Sequence, residues 1–439
     1  MTSRTRLVLA GTAAALVAAV SLVGGILRDS GEPARAVAVQ VDAAAGTFEA
    51  GFSADTETFV RQLTADLRES PKNARGYTLL GLAYQQRARE TGNPAFYSKS
   101  EQALQRSAEL EPRNAETTSA LGSLALARHE FGEAYELGRG AVRLAPYTAR
   151  NYGVLGDSLI ELGRYREAFR AFDRMSSLRP DLGSYSRVSY ARELLGRHDL
   201  ARRAMELALD AAGGRPEPTA WVQTQLGKLE WNRGRLDEAR AHYRAALAIF
   251  PGYVFALEPL ALVEEAKGNH RVALSLARRA AEALPLPQTV ATLGDLYARR
   301  GKARAAARQY GLVGAIERLL VANGVRTDLE SALFDVDHRV RLGRALELAR
   351  QARLARPSIE GDDVLAWALA RNGRCVEALV YSKRSLRLGT RDALKYFHRG
   401  MIERCLGHDA PARDWFRRAL RLNPHFSLLW VPVARRYAS

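Results

Sequence analysis

Acidic and imidazole side chains lie close together in the C-terminal third of the sequence. Asp335, Asp337 and His338 fall within four consecutive positions, and His398 follows later in the chain. Carboxylate and imidazole groups bind divalent metals, and carboxylates also attract cationic peptides. Two ligands on one helix do not complete a metal site, so a neighbouring element has to supply more. The sequence therefore leaves a metal-handling site and a partner-binding surface as two open hypotheses.

Aromatic side chains nearby would give a partner-binding surface its apolar contacts. Residues three and four positions apart are neighbours on a helix, so Glu330, Phe334 and Asp337 share one face with His338. If similar helices stack side by side, this face continues onto the later ones. The predicted groove comprises Glu330, Phe334, Asp337, His338, Asp363, Trp367, Phe397 and Met401. An ordinary solvated helix face is the alternative interpretation.

Motifs typical of enzymes are not found in the sequence. It contains no glycine-rich phosphate loop, no nucleophile elbow, no paired-histidine zinc signature and no Cys-x-x-Cys. The 8 histidines are scattered along the chain. We therefore expect a protein that is not an enzyme and that carries no cofactor.

The elements that must position these residues are set by a pattern that recurs ten times, at a spacing close to 34 residues. In three copies a glycine is followed by Gly at +7, Ala at +12, an aromatic residue at +16 and Pro at +24. The second glycine suits the left-handed turn that ends a first helix, and the proline stops a second helix. The alanine lies where the two helices come closest, so a larger side chain would push them apart. These copies run from Gly156 to Pro180, from Gly227 to Pro251 and from Gly400 to Pro424.

This iterated pattern resembles the tetratricopeptide repeat (TPR), a helix-turn-helix unit that stacks into a right-handed solenoid. The resemblance implies an all-α solenoid over residues 55–439, with about ten repeats between a capping helix at Thr56–Ser70 and another at Phe426–Tyr437. Three longer spacings, at Glu90–Tyr97, Ala212–Pro218 and Leu319–Val325, are expected to lie at turns.

What the family does is also an implication of the resemblance. Such proteins bind partner proteins or peptides in the concave groove that the first helices line, and the predicted groove would lie there. The lysine and asparagine pairs with which some members hold a C-terminal carboxylate are not present here. The C-terminal part is also similar to bacterial TPR proteins of unassigned role, which adds no activity.

The N-terminal residues predict a membrane anchor. Arg4 and Arg6 precede Leu7–Leu27, a stretch of 21 residues without a charge. Such a length spans a bilayer as a helix, and the preceding positive charges favour a cytoplasmic N-terminus. We predict a signal anchor over residues 1–28, a flexible tether over 29–54, and a solenoid outside the cytoplasm. Secretion after cleavage beyond Ala36 is the alternative.

The charge balance leaves a further alternative open. Lysine and arginine number 65 against 48 aspartate and glutamate, a net charge of +17. Arginines scattered over most repeats indicate a solvated surface more than a nucleic-acid interface. A basic regulator that binds nucleic acid is the alternative function. A basic solenoid near a membrane could also bind lipid headgroups or anionic envelope polymers.

The only two cysteines are predicted to form a disulfide. Cys375 falls at the start of a second helix, and Cys405 falls at the end of the next first helix. Those helices should pack antiparallel, which brings the two positions together. A disulfide fits an oxidising compartment. Two buried free thiols are the alternative. Taken together, the sequence predicts a membrane-tethered TPR scaffold for protein–protein interaction at the cell envelope.

Overall fold

The computed structural model describes residues 56–439, and every regular element in that range is an α-helix. The predicted anchor and tether lie outside the described residues. There are 22 helices: α1 (Thr56–Glu69), α2 (Ala74–Thr91), α3 (Ala95–Leu110), α4 (Ala115–Ala127), α5 (Phe131–Leu144), α6 (Ala149–Glu161), α7 (Tyr165–Leu178), α8 (Leu182–Leu194), α9 (His198–Ala211), α10 (Pro216–Asn232), α11 (Leu236–Ile249), α12 (Val254–Ala266), α13 (His270–Ala283), α14 (Pro287–Arg299), α15 (Ala303–Ala322), α16 (Asp328–Asp337), α17 (Leu342–Ala355), α18 (Ile359–Arg371), α19 (Cys375–Ser385), α20 (Ala393–Cys405), α21 (Asp409–Leu422) and α22 (Val431–Ala438).

Ten helix hairpins, from α2–α3 to α20–α21, form the body of the fold, and each packs on the next. The turn glycine adopts the expected left-handed conformation, with φ of 68° at Gly163. The glycine seven residues earlier has a different role. A methyl group added at Gly156 would lie 2.3 Å from the ring of Phe172 in the partner helix. The first glycine of the pattern therefore marks the place where the two helices of a hairpin come close together.

Two of the longer spacings are accommodated differently from the prediction. The stretch near Leu319 is predicted at a turn, but α15 runs on to Ala322 and reaches 20 residues. Glu90 likewise lies within α2, which has 18 residues. Extra residues in these copies lengthen a helix because they continue its backbone hydrogen bonding. The spacing at Ala212–Pro218 does span a turn, between α9 and α10.

Hydrogen bonds also join hairpins that are far apart in sequence. Tyr165 accepts the backbone N–H of Ile359 at 2.7 Å, and Asn423 donates to the carbonyl of Trp231 at 2.8 Å. Five such bonds, each involving a side chain, link residues 192 to 197 positions apart. With a 34-residue repeat this separation corresponds to about six repeats. Within residues 56–439 the solenoid therefore coils until one turn contacts the next.

The last helix is shorter than predicted. α22 begins at Val431, so the cap expected from Phe426 starts five residues late. Residues 423–430, called the C-terminal segment below, are not helical. Pro424 cannot continue α21, and the Ser427 hydroxyl accepts the N–H groups of Leu429 and Trp430. Among the described helices, none combines the length and apolar character that crossing a bilayer requires.

Candidate partner-binding site

Asp337, at the end of α16, is a shared hydrogen-bond acceptor for two tryptophans. Its Oδ1 accepts the indole N–H of Trp367 on α18 at 2.8 Å and that of Trp430 in the C-terminal segment at 3.0 Å. Burial raises the pKa of the Asp337 carboxyl, while the nearby His398 charge and the two indole hydrogen bonds act in the opposite direction. The carboxylate thus holds the C-terminal segment against α16 and α18.

Trp430 covers the floor of the predicted groove. Its ring stacks on Phe397 with centroids 5.4 Å apart and meets Trp367 edge-on at 5.5 Å. Trp367 is 1% exposed and Phe397 is 0% exposed. The predicted ligand contacts at these two residues are therefore occupied by the protein's own chain. A partner can reach Phe397, and the face of Trp367 that meets Trp430, only where Trp430 moves away.

His398 lies beneath this aromatic layer and pairs with Asp363. Its Nδ1 is 3.0 Å from Asp363 Oδ2, and its ring stacks on Trp367 at 4.6 Å. Burial opposes the charged imidazolium, but the Asp363 carboxylate and its hydrogen bond, helped by Asp337, raise the pKa of His398. A cationic ring stacked on an indole adds a favourable electrostatic contact. Asp363 is buried and engaged here, so it does not line an open groove.

The remaining predicted residues on α16 separate into different contacts. His338 pairs with Asp295 of α14 at 2.8 Å and packs on Phe334 at 4.2 Å. The charge and hydrogen bond of Asp295 outweigh burial and raise the pKa of His338. Glu330 is exposed and forms an ion pair with Arg356 at 3.3 Å. The predicted residues do share one face of α16, but their side chains contact other residues of the fold, both in the same hairpin and in the preceding one.

The four residues weighed as metal ligands do not converge. Asp335 pairs with Arg341, His338 pairs with Asp295 and His398 pairs with Asp363. Within residues 56–439 no group of three His, Cys, Asp or Glu side chains is placed to hold a metal ion. Asp335 and His338 are three residues apart in sequence, but each side chain is held by a different partner, Arg341 for Asp335 and Asp295 for His338.

Met401, the last predicted groove residue, is half-buried and faces an open pocket of about 430 Å³. Trp367 also contributes to its wall. The pocket lies between the turn that joins α16 to α17, α18 and α20, and its residues are Arg339, Leu342, Trp367, Ala370, Arg371, Met401, Arg404 and Cys405.

Cys375 and Cys405 are joined as a disulfide, with their Cα atoms 6.1 Å apart. The bond connects the start of α19 with the end of α20. It fixes two consecutive hairpins beside the pocket that Cys405 helps to line.

Sequence reasoning missed Trp430 and Asp295, because each acts across a large separation in sequence. Trp430 is 93 residues from Asp337, and Asp295 is 43 residues from His338. The repeat spacing cannot predict where residues of a non-helical segment after the last hairpin will lie. One available signal is composition, since the chain has only 5 tryptophans and one of them falls in that segment.

The architecture is that of a TPR-like α-solenoid, and comparison with known proteins agrees. Residues 182–252 match the family model of the tetratricopeptide repeat. No curated protein matches the chain. The described part of the chain is therefore a TPR-like helical solenoid, a fold that suggests a scaffold for protein–protein interaction.

Several solved structures are similar in fold. A thermophilic TPR protein of Thermus thermophilus is 22% identical, over 43% of this chain and 98% of that one, with a TM-score of 0.39. PilF of Pseudomonas aeruginosa is 20% identical, over 48% and 92%, with a TM-score of 0.36. Human IFIT1, a dimer solved with m7Gppp-AAAA, is 16% identical, over 76% and 77%, with a TM-score of 0.49. At these values the likeness concerns the fold alone.

Proposed function

We propose that the protein is a membrane-tethered scaffold of the cell envelope that binds a protein or peptide partner on its first helices. The observation that supports this proposal is the way the C-terminal segment binds to the first helices. A short non-helical stretch of chain lies across α16, α18 and α20, with Trp430 as its anchor. Large aromatic anchors in desolvated pockets usually dominate the binding energy of such contacts. The surface is therefore suited to an extended peptide with an aromatic side chain.

The seated segment is also held by hydrogen bonds between side chains and backbone carbonyls. Arg299 of α14 donates to the carbonyl of Leu428 at 2.9 Å, and Asn423 donates to the carbonyl of Trp231. Leu428 itself packs beside a buried cluster that includes Leu257 and Leu296. Pockets for side chains and hydrogen bonds to the main chain are a recurring combination in the recognition of extended peptides. A partner of similar chemistry would compete with the segment for these groups.

The location outside the cytoplasm is supported by two features. The uncharged stretch Leu7–Leu27 follows Arg4 and Arg6, which favours an anchor with the solenoid outside. The disulfide between Cys375 and Cys405 is of the kind that persists in oxidising compartments. A reporter active only outside the cytoplasm, fused after Ser439, should be active. Activity of a cytoplasm-only reporter at that position would contradict the proposed topology.

Partner binding can be tested by site-specific photocrosslinking in intact membranes. A photoreactive residue at Met401, beside the seat of Trp430, should give one dominant crosslinked product. The matched control is Val376 on the second helix α19, which is 73% exposed and lies outside the pocket. Equal crosslinking at both positions, or none at Met401, would contradict binding on the first helices.

A further inference from the structure

Three arginines surround the pocket between the α16–α17 turn, α18 and α20. Arg339 follows α16, Arg371 ends α18, and Arg404 lies near the end of α20. The walls between them are apolar and are formed by Leu342, Trp367, Ala370 and Met401. The pocket therefore presents several positive charges around a hydrophobic interior of about 430 Å³.

None of the three arginines forms an ion pair with a carboxylate of residues 56–439. Arg371 instead lies over the rings of Trp367 and Trp430, 5.1 and 5.4 Å from their centroids. Arg404 lies over Tyr437 at 3.9 Å. Burial and the neighbouring charge of Arg339 lower the pKa of Arg371, while the Asp337 carboxylate acts in the opposite direction. Arginines elsewhere in the fold are commonly paired, as Arg341 is with Asp335. The three guanidinium groups, with no carboxylate in direct contact, favour an added anion.

Arg339 occupies this position in an unusual backbone conformation. Its φ is 57°, in the left-handed region that disfavours side chains. The equivalent turn residue, identified by the same backbone hydrogen bonds, is Gly163 after α6 and Gly373 after α18. Glycine has no steric cost there, whereas arginine does. Residues in such strained backbone conformations are concentrated at functional positions. Here the strained residue is an arginine at the rim of the pocket.

From this geometry we propose that the pocket is an anion-binding site that receives a peptide carboxylate next to an apolar side chain. Guanidinium groups bind carboxylates through paired hydrogen bonds, and the apolar walls accept the neighbouring side chain. The choice of a peptide rests on the proposed scaffold function. The anion site itself does not, because a small anion requires no partner protein.

The test uses the full chain in detergent micelles and three probes. Inorganic phosphate measures the anion site alone. Acetyl-Asp-Leu-amide and acetyl-Asn-Leu-amide have the same shape but differ in charge, and ligand-observed NMR gives their affinities. We expect saturable phosphate binding and a preference of about tenfold for the Asp peptide, the effect of hydrogen bonds to a charged group. Both should be lost in Arg404→Gln and in Arg339→Gly.

Arg339→Gly also separates binding from folding. Glycine is suited to the left-handed turn, so this variant should be at least as stable as the parent chain while it loses the anion. Arg413→Ala, at an exposed arginine of α21 outside the pocket, removes the same charge and should bind as the parent does.

Absence of saturable phosphate binding, or unchanged binding in Arg339→Gly, would overturn the anion site. Phosphate binding with equal affinity for the two peptides would overturn the assignment to a peptide carboxylate. The scaffold function is judged by the crosslink at Met401 and not by anion binding: a specific crosslink in the absence of phosphate binding overturns this inference alone, whereas the absence of a crosslink overturns the scaffold function.

Discussion

Trp430 donates its indole N–H to the same oxygen of Asp337 that accepts the indole N–H of Trp367. This single carboxylate connects the C-terminal segment to the first helices of two hairpins. The surface that the sequence predicts for a partner is, in this conformation, filled by the chain itself. A partner that uses the same groups therefore competes with an intramolecular ligand of high local concentration.

Removing the Trp430 side chain should release the C-terminal segment. Trp430→Ala deletes a side chain that is 7% exposed, and truncation of a buried tryptophan costs about 3–5 kcal/mol. We expect faster hydrogen exchange in residues 423–438 and in α20, with little change in α2–α7. Trp415→Ala, at a half-buried tryptophan that packs on Tyr396, is the control and should leave exchange in the segment unchanged. Unaltered exchange in Trp430→Ala would show that this indole does not hold the segment.

The close approach in the third hairpin should make Gly156 intolerant of a side chain. A Cβ there would lie 2.3 Å from Phe172, and overpacking of this kind costs about 1–3 kcal/mol. Urea unfolding of Gly156→Ala should show the loss. Gly311→Ala in α15, where nothing lies within 4 Å of an added Cβ, should be neutral or stabilising by about 1 kcal/mol. Equal stability of the two variants would contradict the proposed role of the first glycine.

Protonation of His398 should stabilise the fold. Its folded pKa is raised above the unfolded value of about 6.5, so the folded state binds the proton more tightly. The stabilisation is fully present below that unfolded value and is lost as the pH rises through the folded pKa. The free energy of unfolding should fall from about pH 6.5 upward in the parent chain.

Substitution of the imidazole checks this assignment. His398→Gln should make the decline shallower, as measured by urea midpoints across the pH range, and the part that remains is the contribution of His338, whose pKa is also raised. The control is His425→Gln, because burial lowers the pKa of His425 and its contribution has the opposite sign. A parent-like decline in His398→Gln would assign the pH dependence to another group.

The disulfide should stabilise the last two hairpins. It joins cysteines 30 residues apart, and the chain-entropy model assigns roughly 3 kcal/mol to a loop of this size. The double variant Cys375→Ser, Cys405→Ser should unfold at a lower urea concentration, with a free energy of unfolding smaller by that amount. Reduction of the parent chain should lower the free energy of unfolding equally. Protein purified from its native source and denatured without reductant should contain no free thiol; two thiols per chain would contradict the bond.

The regular part of the fold could be predicted from sequence because its rules are local. Turn glycines such as Gly163 and close-contact alanines such as Ala168 recur at fixed spacing, and each acts within one hairpin. The proximity of Cys375 and Cys405 follows from the same rule, since antiparallel neighbours bring those helix ends together.

The candidate site could be predicted only in part because its contacts are not local. Trp367 and Phe397 are on the predicted face, but Trp430 buries them from beyond the last repeat. His338 turns to Asp295, one hairpin earlier, which spacing within a helix does not specify. Arg339 could not be recognised as a pocket residue, because the absence of a turn glycine says nothing about where the replacing side chain points.

The hydrogen bonds between residues 192 to 197 positions apart give the coil a mechanical property that open solenoids lack. A solenoid whose repeats touch only their neighbours lengthens under tension as a soft spring, by small rotations at each interface. Here the bond from Ile359 to Tyr165 and the bond from Asn423 to Trp231 fasten one coil to the next. A pulling force has to break these hydrogen bonds before the coil can extend. The solenoid should therefore resist small forces and extend abruptly at a larger one.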